Sequence, residues 1–175
     1  TGRQNLYRNW QNGRLWWNDP DAVVLTGDLP DAEFRFHASV IFASGGMVLS
    51  GDDLTAITPE RLRMLRKLQP PNTHAARFQD QSLTAGVVQR TRDRVACLFN
   101  WDDTPQTISL AVSGPCRIRD FWTDEERGTH AGGPLSMSLP PRSATRIRAT
   151  SRSEPNAKAP AASSSRPRSR RSLPV

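Results

Sequence analysis

The stretch Arg14-Leu15-Trp16-Trp17-Asn18-Asp19-Pro20-Asp21 decides how the rest of the chain is read. Two adjacent tryptophans lead into an amide, then into two carboxylates held apart by one proline. Indole rings present flat apolar faces with an N–H at the edge, suited to the C–H face of a sugar or to a base. Asp19 and Asp21 can accept hydrogen bonds from hydroxyls, and bonds to an ionised group are the stronger kind. Pro20 fixes its own φ and drives Asp19 toward extended backbone, so the turn carrying both acids is expected to be stiff. A stiff acidic turn after an apolar strand, here expected over Leu15–Asn18, is where an α/β barrel keeps its working residues. The plainer reading of the same letters is a Trp-rich strand whose acids cap the following loop.

Downstream the pattern alternates between strand and helix. Ala22-Val23-Val24-Leu25 is apolar, and Asp28 with Pro30 two residues on reads as the start of a helix. Phe34, Ala38, Ile41 and Phe42 form its amphipathic stripe, and Gly45-Gly46 is expected to end it. Gly46-Met47-Val48-Leu49-Ser50 reads as a parallel strand buried on both faces, opening into the acidic turn Gly51-Asp52-Asp53-Leu54. Thr58 caps a second helix with Pro59 in its first position. Leu62, Leu65 and Leu68 are its expected core stripe, and Pro70-Pro71 stops it. Strand, helix, strand, helix is part of an α/β architecture. Two parallel strands cannot close a barrel, so most of such a domain is expected upstream of Thr1.

After Pro71 the period changes to two. Leu83–Arg90, Arg94–Trp101, Gln106–Val112, Cys116–Trp122, Leu135–Leu139 and Ala144–Arg148 are short runs between turn signals, as in an antiparallel sandwich. In the second run Val95, Cys97 and Phe99 alternate with Ala96, Leu98 and Asn100, so both faces are partly apolar and a central strand is expected. The last segment, from about residue 150, is Ser, Pro, Ala and Arg with few apolar side chains, and disorder is expected there. Its run Arg166-Pro167-Arg168-Ser169-Arg170-Arg171 suits an anionic surface or simple solvation.

The chain has 175 residues, 36% hydrophobic and 23% charged, and its net charge is +7. Residues 151–175 hold six Lys or Arg and one acid, so most of that charge lies in the tail. The folded part therefore gives no reason to expect a nucleic-acid partner. No apolar run approaches the roughly 18 residues that span a membrane, and no signal peptide is visible. Cys97 and Cys116 sit in strand-like runs and are expected as buried free thiols, neither a disulfide framework nor a metal site.

Trp17-Asn18-Asp19-Pro20-Asp21, followed by Gly45-Gly46-Met47-Val48-Leu49-Ser50-Gly51-Asp52-Asp53-Leu54, resembles the last part of the melibiase-type α-galactosidases, retaining glycoside hydrolases of families 27 and 36. Pro59-Glu60-Arg61-Leu62 with Pro70-Pro71, then Leu98-Phe99-Asn100-Trp101 and Asp120-Phe121-Trp122, extend the resemblance through the sandwich, roughly over residues 5–148. The resemblance implies an α/β plus all-β fold. Residues 1–72 would be the last βα units of an incomplete (β/α)8 TIM barrel and residues 73–149 a C-terminal antiparallel β-sandwich; residues 150–175, the disordered basic tail expected from composition, have no expected counterpart in the family.

In that family two catalytic aspartates, a nucleophile and an acid/base, stand on earlier barrel strands, about 5 Å apart as retention requires. Residues 1–16 contain no acid, so both are expected upstream of Thr1 and the chain alone is expected to be inactive. By resemblance Asp21 lines the sugar pocket, Trp17 shapes its wall, and Asn18 and Asp19 brace the turn. Asp52 and Asp53 match an acidic turn expected to be more structural than substrate-binding. The implied partner is a galactoside or related oligosaccharide, with no cofactor, metal or membrane. Two other readings stand beside it. Asp19-Pro20-Asp21 could hold a divalent cation and a nucleotide sugar in a glycosyltransferase, since hard cations want oxygen ligands. Trp101 and Trp122 could make the sandwich a carbohydrate-binding module.

Overall fold

Val95, Cys97 and Phe99 face one way and Ala96 and Leu98 the other, and each set is buried in its own core. In the computed structural model, which describes residues 2–91 and 93–151, these residues form β3 (Arg94–Asn100). β3 lies between β2 (Ala85–Gln89) and β8 (Ser143–Ser151) in a six-stranded sheet. The sheet continues through β5 (Cys116–Asp120) to β6 (Glu126–His130) at one edge, and β1 (Arg77–Phe78) forms the other. β4 (Gln106–Val112) and β7 (Gly133–Leu139) make a separate two-stranded ribbon. Every strand pair is antiparallel, as expected of a sandwich.

The helices are α1 (Gly2–Tyr7), α2 (Asp31–Ser44) and α3 (Pro59–Leu68), with a short 3₁₀ turn at Asn9–Gln11. Phe34, Ala38, Ile41 and Phe42 of α2 are buried in one cluster with Val95, Cys97, Phe99 and Phe121 of the large sheet. On the sheet's opposite face Ala96, Leu98 and Ile147 meet Ile108, Leu110 and Leu139 of the ribbon. The large sheet is thus a middle layer, covered by a helix on one side and a ribbon on the other, so helical and strand-rich segments share a core. Cys97 and Cys116 are buried and free, as expected. Burial pushes the Cys97 thiol up to about 12, although the cation of Arg146 works the other way.

The sequence expectations need correction at several points. α2 begins at Asp31 with Pro30 as its N-cap residue, not at Asp28, because proline holds its predecessor out of the helical region. In α3 the buried residues are Met64 and Leu68, with Leu65 partly buried, whereas Leu62 is exposed. Leu15–Asn18 and Gly46–Ser50 do not form strands. They contribute the isolated parallel bridges Asn12↔Trp16 and Ala22↔Leu49, and Met47 and Leu49 are exposed rather than buried on both faces. A single bridge gives a segment too few ladder bonds for a strand. β6 carries no apolar alternation and was not expected; it forms as an exposed edge strand through backbone pairing with β5. β8 runs to Ser151, so Thr150 and Ser151, expected in the tail, pair with Arg117 and Cys116. The rest of the expected disordered tail lies outside the described residues.

Candidate functional site

The Trp-Asn-Asp-Pro-Asp turn is anchored by Asn18, which is buried. Its backbone N–H donates to Asn12 Oδ1 (3.0 Å), its side-chain amide donates to the Ser44 carbonyl (3.1 Å), and its carbonyl accepts from Met47 N–H (2.8 Å). The last carbonyls of a helix have no partner within it. At the end of α2 they find tertiary ones: Asn18 serves Ser44, Asn72 Nδ2 serves Phe42 (3.0 Å), and the Ala76 N–H serves Ala43 (2.8 Å). Two more amides tie the same region together. Asn12 Nδ2 donates to Thr73 (3.1 Å) and Asn9 Nδ2 to Ala76 (2.8 Å). The backbones pack so closely that a Cβ on Gly46 would lie 2.1 Å from the Asn18 carbonyl oxygen, and Gly46 also has φ +90°. Only glycine fits both demands.

Beyond Asn18 the chain turns outward. Asp19 and Asp21 are exposed, as are Trp16 and Trp17 at 55% and 58%. Asp19 Oδ1 accepts from the Asp21 N–H (3.3 Å), and Asp21 Oδ1 accepts from the next N–H, that of Ala22 (2.8 Å). Asp21 has φ +101°, a region that a side-chain-bearing residue seldom occupies and that costs about 1–3 kcal/mol. Asn18 and Asp19 share a small cavity of about 170 Å³ with Arg8 and Trp16, while Trp17 and Asp21 lie outside it. Four residues named from the sequence therefore fall into two groups. Asn18 and Asp19 are brought together and brace the turn; Trp17 and Asp21 project from it.

The second acidic turn is bound to the loop that follows the first. Asp52 accepts from the N–H groups of Leu25 (3.0 Å) and Thr26 (2.9 Å), from the Thr26 hydroxyl (2.7 Å) and from Ser50 Oγ (2.5 Å). Burial raises its pKa, but the bonds from Ser50, Thr26 and Leu25 outweigh it and hold the carboxyl at about 2. Asp53 is lowered as well, by the hydroxyl and then the N–H of Thr55. These are the contacts of structural carboxylates, Asp52 tying its loop to the one through Leu25 and Thr26 and Asp53 turning back on Thr55. Among the described residues no group of three or more His, Cys, Asp or Glu could hold a metal ion.

The two tryptophans of the sandwich are committed to packing. Trp101 donates its N–H to the Leu83 carbonyl (2.9 Å), stacks on Phe99 (5.2 Å between centroids) and meets Phe36 edge-on. Trp122 packs against Phe34 and Phe121. The Arg146 guanidinium, fully buried, lies 4.0–4.5 Å from the ring centroids of Trp122, Phe121 and Phe42. None of its three nitrogens has a hydrogen-bond partner, and burial pushes its pKa down to about 9. Nothing in the local sequence singles it out from its neighbours Arg142, which is exposed, and Arg148, which is half-buried.

A helix-backed antiparallel sandwich, preceded by loops that make single parallel bridges, defines the class of fold. No family model matches the chain, and no curated protein matches it either. Solved glycosidase structures do share its fold. The β-L-arabinopyranosidase of glycoside hydrolase family 27 from Geobacillus stearothermophilus superposes with a TM-score of 0.72 at 15% identity, covering 87% of this chain and 41% of that one. For α-galactosidase I from Mortierella vinacea the TM-score is 0.66 at 15% identity, with 83% and 42% covered. The α-galactosidase of Saccharomyces cerevisiae, solved with raffinose, gives 0.62 at 12% identity, with 83% and 49% covered. The chain spans less than half the length of these enzymes.

Proposed function

We propose that the chain is the later part of a retaining glycoside hydrolase acting on an α-galactoside or a closely related glycoside. Residues 1–72 would supply the last βα units of a (β/α)8 barrel and residues 73–149 the sandwich behind it. The observation that carries this reading is the Trp17–Asp21 turn. Asn18 pins its base to the end of α2, while Asp21 is held outward in a strained conformation. Strained, exposed carboxylates on braced turns are a feature of working sites. The likeness of fold to an arabinopyranosidase and to α-galactosidases supports the choice of substrate class.

In this reading Asp21 accepts hydrogen bonds from sugar hydroxyls and Trp17 lies along the pocket wall. Asp19 and Asp52 keep the two turns in place. The nucleophile and the acid/base come from sequence outside these residues, since retention needs two carboxyls about 5 Å apart flanking the glycosidic bond. The test is hydrolysis of an aryl α-galactoside by the chain joined to its natural upstream coding sequence, and by the chain alone. Turnover is expected in the first case only. Robust turnover by the isolated chain, abolished by Asp21→Asn, would overturn the reading and make Asp21 itself a catalytic carboxylate.

A further inference from the structure

A large hollow among the described residues lies away from the acidic turns. It is an open groove of about 1130 Å³ between the connector Pro70–Ala75 and the ends of β2 and β3. Arg77, Arg90, Arg94 and Arg148 line it together with His74. A second hollow of about 490 Å³ adjoins it across His74, Ala75 and Arg77, which line both, so the two follow one another as a track along the surface. The far end of that track carries Tyr7 and Trp10, exposed at 47% and 54%, and Arg14. Tyr7 is held in place by donating its hydroxyl to the Gln81 carbonyl (3.2 Å).

The acids on the walls are already engaged. Asp93 pairs with Arg90 (3.4 Å) and Arg148 (3.1 Å), and Asp80 accepts from the N–H of Ser82 (2.8 Å). Arg148 also reaches Asp124 (3.4 Å) outside the groove, and Arg94 donates to Ser113 Oγ (3.0 Å). Arg77, at the centre of the track, makes no side-chain hydrogen bond or ion pair among the described residues. One acid against four arginines leaves the larger hollow strongly cationic.

We infer that this track binds an anionic glycan, the rings of Tyr7 and Trp10 taking a sugar face while Arg77 and Arg94 take its carboxylate or sulfate groups. Arginine suits both groups because its planar fork donates two parallel bonds. Aromatic faces suit the C–H side of a pyranose. Sites for single-stranded nucleic acid interleave aromatic platforms with cations along the track. Here the larger hollow has no Phe, Tyr or Trp among the described residues of its lining, so a glycan fits better than a polynucleotide. The choice of a glycan also rests on the glycosidase reading; the charge and the groove do not.

The experiment is titration of the full chain with oligogalacturonate, dextran sulfate, uncharged dextran and single-stranded DNA, at low and at moderate salt. Oligogalacturonate, dextran sulfate or both are expected to bind, with affinity falling as salt rises; which of the two binds tells carboxylate from sulfate. Arg77→Glu with Arg94→Glu is expected to weaken that binding at least tenfold, and Trp10→Ala several-fold. A chain ending after Ser151 is expected to bind as the parent does, which separates the groove from the basic tail. Equal binding of uncharged dextran, equal or tighter binding of DNA, or binding unchanged in both variants would overturn the inference. Loss of binding on removing the tail would also overturn it. Aryl α-galactoside hydrolysis by the protein joined to its upstream sequence reports separately on the glycosidase reading. The Arg77→Glu/Arg94→Glu variant is expected to leave that rate unchanged.

Discussion

Asp52 and Thr26 are joined twice, the carboxylate oxygen Oδ1 accepting from both the N–H (2.9 Å) and the hydroxyl (2.7 Å) of Thr26. With Leu25 N–H on Oδ2, this makes one side chain the clasp between the loop after Ala22 and the loop after Leu49. Asp52→Ala should leave two part-buried N–H groups without their acceptor and destabilise the chain by about 1–3 kcal/mol. The clasp is also an acid switch in stability. Its folded pKa of about 2 lies below the ordinary 3.8, so its contribution is complete above about pH 4 and fades as pH falls toward 2. Thermal melts of the parent and of Asp52→Asn across that window check this: the parent should lose stability on acidification more steeply than the variant.

Asp21 allows strain and function to be separated. Asp21→Gly removes the side chain from a φ of +101° and should raise the melting temperature, by the equivalent of about 1 kcal/mol. Asp21→Asn keeps the strain and should leave the melting temperature near that of the parent. In the glycosidase joined to its upstream sequence both should lower kcat/KM more than tenfold, about 1.4 kcal/mol of transition-state contact. An undiminished kcat/KM in both variants would remove Asp21 from the sugar pocket.

Gly46 is the most demanding backbone position of the turn. A methyl group there meets the Asn18 carbonyl oxygen at 2.1 Å on a φ of +90°, and two backbones must then part. Gly46→Ala is expected to cost several kcal/mol, among the large effects tied to special φ/ψ positions. Gly27 has a similar φ with nothing near its Cβ position, so Gly27→Ala should cost about 1 kcal/mol from backbone strain alone. Chemical denaturation of the two variants side by side checks the difference.

Arg146 carries a charge into the layer between α2 and the sheet, against three aromatic faces and across from Cys97, with no hydrogen-bond acceptor. Replacing a buried ion by an apolar residue of similar volume is often neutral or stabilising. Arg146→Met should therefore be tolerated or should raise the melting temperature. Arg146→Ala should lower stability by about 2–5 kcal/mol, because it opens a cavity among Phe42, Phe121 and Trp122. A loss in Arg146→Met as large as that in Arg146→Ala would mean that the cation–π contacts outweigh the desolvation of the charge.

Much of this architecture was legible from local pattern. The alternation in Arg94–Asn100 marked a central strand with two apolar faces, and Thr58 with Pro59 marked the start of α3, where Thr58 Oγ1 accepts from Arg61 N–H (3.2 Å). Such signals survive because they depend on neighbours a few residues away. Leu62 and Met64 show where that stops: both suit an apolar stripe, and only the way α3 enters the cluster that holds Phe34, Phe42 and Phe121 decides that Met64 is covered and Leu62 is not. β6 was invisible for the same reason, since Glu126–His130 owes its strand to the backbone of β5 and not to its side chains.

The sequence by itself determined the turn around Pro20 with its two acids, and the change of period after Pro71. Only the tertiary structure decided that Asn18 is an anchor and Asp52 a clasp, since their partners Ser44 and Thr26 lie some 26 residues away in the chain. It also decided that Arg146 is sealed among three rings while Arg77 faces an open groove. Which face receives a helix is settled by contacts between distant segments, and burial of a charge follows from those contacts rather than from the residues beside it.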